Sequence, residues 1–268
     1  MITSSPPAPP APATTPRAAL LLIGNELLSG RTRDANLAHL AARLGTRGIR
    51  VAEARVVADV PDVIVRAVNA LRAEHDLLFT TGGIGPTHDD ITADCIARAF
   101  GVPIGVHPEA RARLEAFWDA RGVVPNEERL RMARIPEGAT LIDNDVSAAP
   151  GFRIGNVLVM AGVPRIMQSM LEHVLPTLPS GPLVHAASVV VGGLGEGDIA
   201  RPLRELQERF PAIDLGSYPG SVDGRSRVEL VARGSDRTAL AEVHAALLEL
   251  VGRLGGERLD PPEGTPPA

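Results

Sequence analysis

The chain has 268 residues, 44% of them hydrophobic, and a net charge of −5, which suits one large or two ordinary globular domains and excludes a general nucleic-acid binder. A single cysteine, Cys95, excludes an internal disulfide, and no apolar run approaches the ~20 residues of a membrane span. Residues 1–16 lack the basic and apolar regions of a secretory signal, so the cytoplasm is the expected compartment.

Prolines crowd residues 1–16 and predict a disordered tail there. Residues 18–23 are apolar throughout and predict a buried strand, ended by Gly24. A helix is expected from Asp34, a candidate N-cap, to Leu44, with Leu37, Leu40, Ala41 and Leu44 on one face. A strand at 49–57 and a helix at 61–73 follow, the helix striped by Val63, Ile64, Ala67, Val68 and Leu71. Residues 77–80 predict a third strand, and a helix is expected over 89–100. Next come helices at 107–121 and 126–133, a strand at 140–142, a hairpin of 151–154 with 157–160 turning at Gly155-Asn156, and a helix from Pro164 to Leu175. The proline-rich stretch 176–182 reads as a linker. Beyond it, a strand (184–191), a helix (198–210), two strands (213–218, 227–232) and a helix (236–253) spell a small α+β domain. Residues 256–268 read as a second disordered tail.

Strands alternating with helices imply a mostly parallel sheet with both faces covered, whose ligand lies at the carboxyl ends of the strands. Gly24-Asn25-Glu26, Ala58-Asp59 and Gly82-Gly83 each follow a strand directly and are expected on one rim. The third is the richest. Thr80-Thr81-Gly82-Gly83-Ile84-Gly85-Pro86-Thr87 is a glycine turn between strand and helix, where free backbone N–H groups can meet an anion. Asp89, Asp90 and Asp94 beside it would repel a bare phosphate, which points to a bound cation or to chemistry on a phosphate ester. For some of these residues a bland reading competes. Asp59 is either a cap for the helix at Pro61 or a site acid. Asp89 is expected to be a helix-start charge, His88 a solvated loop residue, and Cys95 a small buried hydrophobe. Arg111, Arg113, Arg129, Arg131 and Arg134 are expected on solvated helix faces. The run Gly192 to Asp198 is expected to be an ordinary helix start.

The segments GNELLSGRTRDAN (24–36), TTGGIGPTHDDIT (80–92), NDVSAAPGF (144–152) and AGVP (161–164) together resemble the MoaB/Mog molybdopterin-binding family, in particular the CinA-like N-terminal domain. The resemblance implies a three-layer α/β/α domain over residues 17–177, a small α+β domain over 183–255, and a homo-oligomer. It also implies a pocket for a phosphorylated small molecule, an adenine dinucleotide or a pterin such as molybdopterin. Members of the family adenylylate molybdopterin, or hydrolyse ADP-ribose or FAD with a divalent metal. The hydrolysis of an ADP-ribose-like pyrophosphate with Mg2+ or Co2+ is the expected activity here. Molybdopterin adenylyl transfer and a non-catalytic binding module are the alternatives. Longer members continue into an amidase domain, for which no residues remain here. Carried over residue by residue, Asp90 and Asp59 are the implied catalytic acids, and with Glu26 the implied metal ligands. The implied ligand contacts are Gly24, Asn25, Glu26, Thr81, Gly82, Gly83, Gly85, Pro86, Thr87, Thr92, Pro150, Gly162 and Pro164. Asn25 and Ile166 stand where the family pattern has acids.

Overall fold

Strand β1 (Arg17–Ile23) is buried at every position after the first, which only a strand covered on both faces tolerates. Its chain continues through a short helix α1 (Asn25–Leu28), α2 (Asn36–Gly45), β2 (Arg50–Val57), α3 (Pro61–Glu74) and β3 (Leu77–Thr81). Then come α4 (Thr92–Phe100), β4 (Ile104–Val106), α5 (Pro108–Asp119), α6 (Glu127–Leu130), β5 (Arg134–Pro136), β6 (Thr140–Ile142), the hairpin β7 (Gly151–Ile154) and β8 (Val157–Met160), and α7 (Pro164–Val174). The structure is a computed structural model that describes residues 15–222 and 225–260. It divides between Gly181 and Pro182 into two units.

In the first unit the sheet order is β2-β1-β3-β8-β7-β6. β2, β1, β3 and β8 run parallel, and β7 runs antiparallel to both neighbours. Alternate side chains of each strand face opposite layers. Ala19, Leu21 and Leu78 pack with Ile64 and Val68 of α3, Ile96 of α4 and Leu114 of α5. Leu20, Leu22 and Phe79 pack with Leu40 of α2 and Met167 and Leu171 of α7. β2 and β3 flank β1 on opposite sides, so the connections leaving β1 and β3 diverge at their carboxyl ends. A crevice opens there.

The second unit holds β9 (His185–Gly192), α8 (Glu196–Arg209), β10 (Asp214–Val222), β11 (Arg225–Gly234), α9 (Arg237–Arg253) and β12 (Glu257–Leu259). Its antiparallel sheet has the order β10-β11-β9-β12. Val189 and Val191, with Val228 and Leu230, pack on Ile199 and Leu203 of α8 and Val243 and Leu247 of α9.

The mixed, mostly parallel sheet followed by a small α+β unit is the expected architecture. Several details differ from the sequence reading. Helix α4 begins at Thr92 and not at Asp89. Asp90 instead closes a local turn on Thr87, the competition that short acidic side chains offer to a helix. α1, β4 and β5 are too short to leave a periodic signal. Residues 257–259, expected in a disordered tail, pair antiparallel with β9; a three-residue edge strand is recruited by its neighbour, not by its own pattern. Residues 1–14 and 261–268, the rest of the two predicted tails, lie outside the described residues.

Candidate functional site

The loops at the carboxyl ends of β1, β2, β3 and β8 meet α5 and the 143–150 loop around a cavity of about 600 Å³. Its geometry is built on glycines. Gly82 has φ +103°, and a Cβ there would strike the Ile23 carbonyl oxygen. A Cβ on Gly162 would sit 3.2 Å from Gly82 Cα. Bare backbone at both positions lets the loops after β3 and β8 pass in contact, while Gly82 N–H donates to Met160 O at 3.2 Å. The fully buried Thr92 pins the turn from below. Its hydroxyl donates to Gly82 O at 2.9 Å, and its N–H donates to Gly83 O at 2.9 Å. Among the described residues, the N–H groups of Gly83, Ile84 and Gly85 meet no acceptor.

The acids are held individually. Asp90 Oδ2 accepts from the Thr87 N–H at 2.8 Å and its hydroxyl at 2.6 Å, which leaves Oδ1 without a protein partner among the described residues. A Cβ on Gly85 would come within 2.6 Å of Asp90 Oδ2, so the carboxylate lies directly against the glycine turn. Asp59 Oδ2 accepts from Asn25 N–H at 2.7 Å. It braces the loop after β1, and α3 has no side-chain cap, so the capping alternative falls. Asp89 is also at the cavity wall. It precedes α4 by three residues and is not a helix-start charge.

Of the residues expected at the site, Gly24, Glu26, Asp59, Gly82, Gly83, Gly85, Pro86, Asp90, Gly162 and Pro164 line this cavity. Thr81 and Thr92 are buried, Thr87 binds Asp90, and Asn25 contributes its backbone to Asp59. Pro150 lines a separate small cavity that shares Gly83, Gly85 and Asp90 with the large one. Among the described residues no three acidic, histidine or cysteine side chains group closely enough to hold a metal by themselves, so Glu26, Asp59 and Asp90 do not form a preformed cage.

Several wall residues were not singled out in the sequence. Leu114, Phe117 and Trp118 of α5, with Met132, Ser147, Ala148 and Ala149, make an apolar wall. Apolar spacing marks them only as core. Asn36 is buried, and its side-chain N–H donates to Gly162 O at 2.9 Å. Its place at the end of the 24–36 motif was the available signal. Asp34 caps the start of α2 by accepting from Asn36 and Leu37 N–H at 3.0 and 2.9 Å. Of the arginines expected on solvated faces, Arg111 is exposed and Arg113, Arg129, Arg131 and Arg134 are half-buried. Arg134 grips Asp94 bidentately at 2.9 and 2.6 Å, and Arg131 reaches the Asp90 carbonyl at 3.4 Å. His88 is exposed. Cys95 is buried, which pushes its thiol up to about 11. Asp198 accepts from Gly195 N–H at 3.0 Å at the start of α8, an ordinary helix entry.

The family model described as a probable molybdopterin binding domain matches residues 19–180, and one described as the middle domain of FAD synthase matches residues 185–254. A protein of Aeropyrum pernix is 36% identical over 257 residues, covering 90% of this chain and 96% of that protein. A CinA-like protein of Desulfosudis oleivorans is 37% identical over 209 residues, covering 74% of this chain and 51% of that protein. This chain thus corresponds to about half of that relative. Among solved structures, the protein CinA of Thermoplasma acidophilum, described as of unknown function, is similar with 32% identity and a TM-score of 0.56. The match covers 61% of this chain and 98% of that one.

Proposed function

The chain belongs to the family of probable molybdopterin binding domains and has CinA-like relatives, and from that premise we propose that its cavity binds a phosphorylated small molecule and hydrolyses the pyrophosphate of an ADP-ribose-like dinucleotide. One observation carries the reading. Unpaired backbone N–H groups at Gly83, Ile84 and Gly85 stand beside four carboxylates, Glu26, Asp59, Asp89 and Asp90, in a cavity that no basic side chain lines among the described residues. The volume of about 600 Å³ lies within the range of pockets that engulf a small ligand, roughly 300–1,000 Å³.

A phosphate entering such a wall meets like charge unless a cation accompanies it. The donor set fits a divalent ion shared with the ligand, since Mg2+ is commonly held by one or two carboxylates and substrate phosphates. Asp90, through its unpaired Oδ1, with Glu26 and Asp59, would hold it. When bound, such an ion neutralises developing charge and activates water. The chain itself supplies N–H donors to one phosphate, a turn locked by Thr92 so that those donors need no reorganisation, and a β1 loop fixed by Asp59. The match of the second unit to the FAD synthase middle domain adds FAD to the ligands worth testing. The reading includes a homo-oligomer in the cytoplasm, the first part of which light scattering tests.

The test is release of AMP from ADP-ribose with Mg2+ or Co2+, followed by chromatography. Wild type turns over, and Asp90→Ala abolishes turnover while its circular dichroism stays native. Absence of turnover of both ADP-ribose and FAD with every divalent metal tried overturns the hydrolase. The non-catalytic alternative draws on Asn25 and Ile166, and binding without turnover would support it. ATP-dependent adenylylation of molybdopterin would move the assignment to transfer.

A further inference from the structure

The second unit carries a cleft of its own, between the start of β9 and the first half of α9. Its volume is about 300 Å³, at the small end of ligand pockets, which span roughly 300–1,000 Å³. Arg237, Leu240, Ala241 and His244 share one face of α9 by their i, i+3, i+4, i+7 spacing. His185 stands two residues before Ala187 on β9, so both face the same side of the sheet, and Ala187 packs against the core shared with α9. Arg237, His185 and His244 thereby line one small space, with Ala187, Leu240 and Ala241 as its apolar part.

The charge pattern here is the reverse of that in the first unit's cavity. The chain has a net charge of −5, yet no acid lines the cleft. Neither Arg237 nor either histidine forms an ion pair among the described residues. Arg237 also breaks a local rule. The helix dipole favours cations in the last turn, where Arg253 sits, and disfavours them in the first, where Arg237 is the first residue. Such breaks concentrate at functional sites. The N–H groups of Thr238 and Ala239 are taken by Asp236, so side chains and not the helix end supply the donors of the cleft.

Two imidazoles alone could hold a metal ion, but a guanidinium on the same wall repels a cation. An anion suits all three groups. The guanidinium presents a planar fork to two oxygens, and each imidazole offers an N–H. A carboxylate, with two oxygens, would leave part of this donor set unused, whereas a phosphate monoester has three terminal oxygens. We infer that the cleft between β9 and α9 is a binding site for a phosphate monoester, held by Arg237, His185 and His244. It shares no residue with the cavity of the first unit and does not depend on the hydrolase reading.

Imidazole NMR signals test this in the full-length protein without divalent metal, at an ionic strength held constant with chloride. His185→Gln and His244→Gln assign the two signals. Inorganic phosphate and methyl phosphate should move both signals over one concentration range, and acetate should bind more weakly. Arg237→Gln should weaken phosphate by ~10-fold or more, as loss of a charge-assisted contact does, and His244→Gln by about 5-fold. Thermal melting of Arg237→Gln should stay level or rise, because the change removes a cation from the first turn of α9. A merely structural arginine would instead lower it. Signals that move no more with phosphate than with chloride overturn the site, as does an Arg237→Gln variant that binds phosphate like wild type. Acetate binding as tightly as methyl phosphate overturns the monoester assignment.

Discussion

Gly82 is the residue at which one methyl group would do most damage. Its φ of +103° disfavours any L side chain, and the added carbon would meet the backbone oxygen of Ile23, which cannot swing aside. Gly82→Ala should cost about 2 kcal/mol or more of stability in urea unfolding and remove ligand binding with it. Cys95 gives a pH signature. Its buried thiol titrates near 11 in the fold against roughly 8.5 when exposed. The native state therefore keeps a proton that the unfolded chain has lost across that window. Stability is full below the lower value and falls as pH rises toward 11, by no more than about 1.4 kcal/mol per pH unit. In Cys95→Ala that slope should be absent from melts taken between these pH values. Both glycine turn and cysteine were visible in the sequence. What was hidden was the partner of each: the Ile23 carbonyl that forbids a side chain at Gly82 lies 59 positions away along the chain.

The junction of β3 and α4 shows how far local pattern carries at the scale of elements. Acids at 89, 90 and 94 resemble a helix N-terminus, and a helix does follow, but Asp90 spends one oxygen on Thr87 and delays its start to Thr92. The element is then held by Thr92, which bonds both Gly82 and Gly83 carbonyls. Thr92→Val keeps the shape and deletes the hydroxyl donor, so it should cost about 1–2 kcal/mol and leave the buried Gly82 carbonyl unpaired; denaturant midpoints would show it. Helix α9 is the contrasting case, where a local rule sufficed. Asp236 accepts from Thr238 and Ala239 N–H at 2.8 and 3.2 Å, and Asp236→Ala should destabilise the second unit by about 1 kcal/mol. The strand β12 had no such local signature, because its three residues take their conformation from β9.

For the whole molecule, each unit has its own hydrophobic core, two layers around the large sheet and one under the small sheet. Trp118 belongs to the first unit, and the lone tyrosine, Tyr218, to the second. Urea unfolding followed by tryptophan and by tyrosine signals should give two separate midpoints, and coincident curves would contradict independent cores. No helix among the described residues is long and apolar enough to cross a membrane. The sequence by itself determined the alternation of strands and helices, the family, and the glycines and acids after β1, β2 and β3, because period, turn chemistry and motif are local properties. Only the tertiary structure decided which of those groups remain unspent. It consumed Gly82 N–H on Met160, gave Asp59 to Asn25, and left the N–H groups of Gly83, Ile84 and Gly85 and one oxygen of Asp90 without protein partners among the described residues. It also brought the α5 wall, 24 or more positions beyond Asp90, to the same cavity. The reason is physical: hydrogen-bond satisfaction and pocket closure are settled by residues distant in the chain, and no local pattern carries that information.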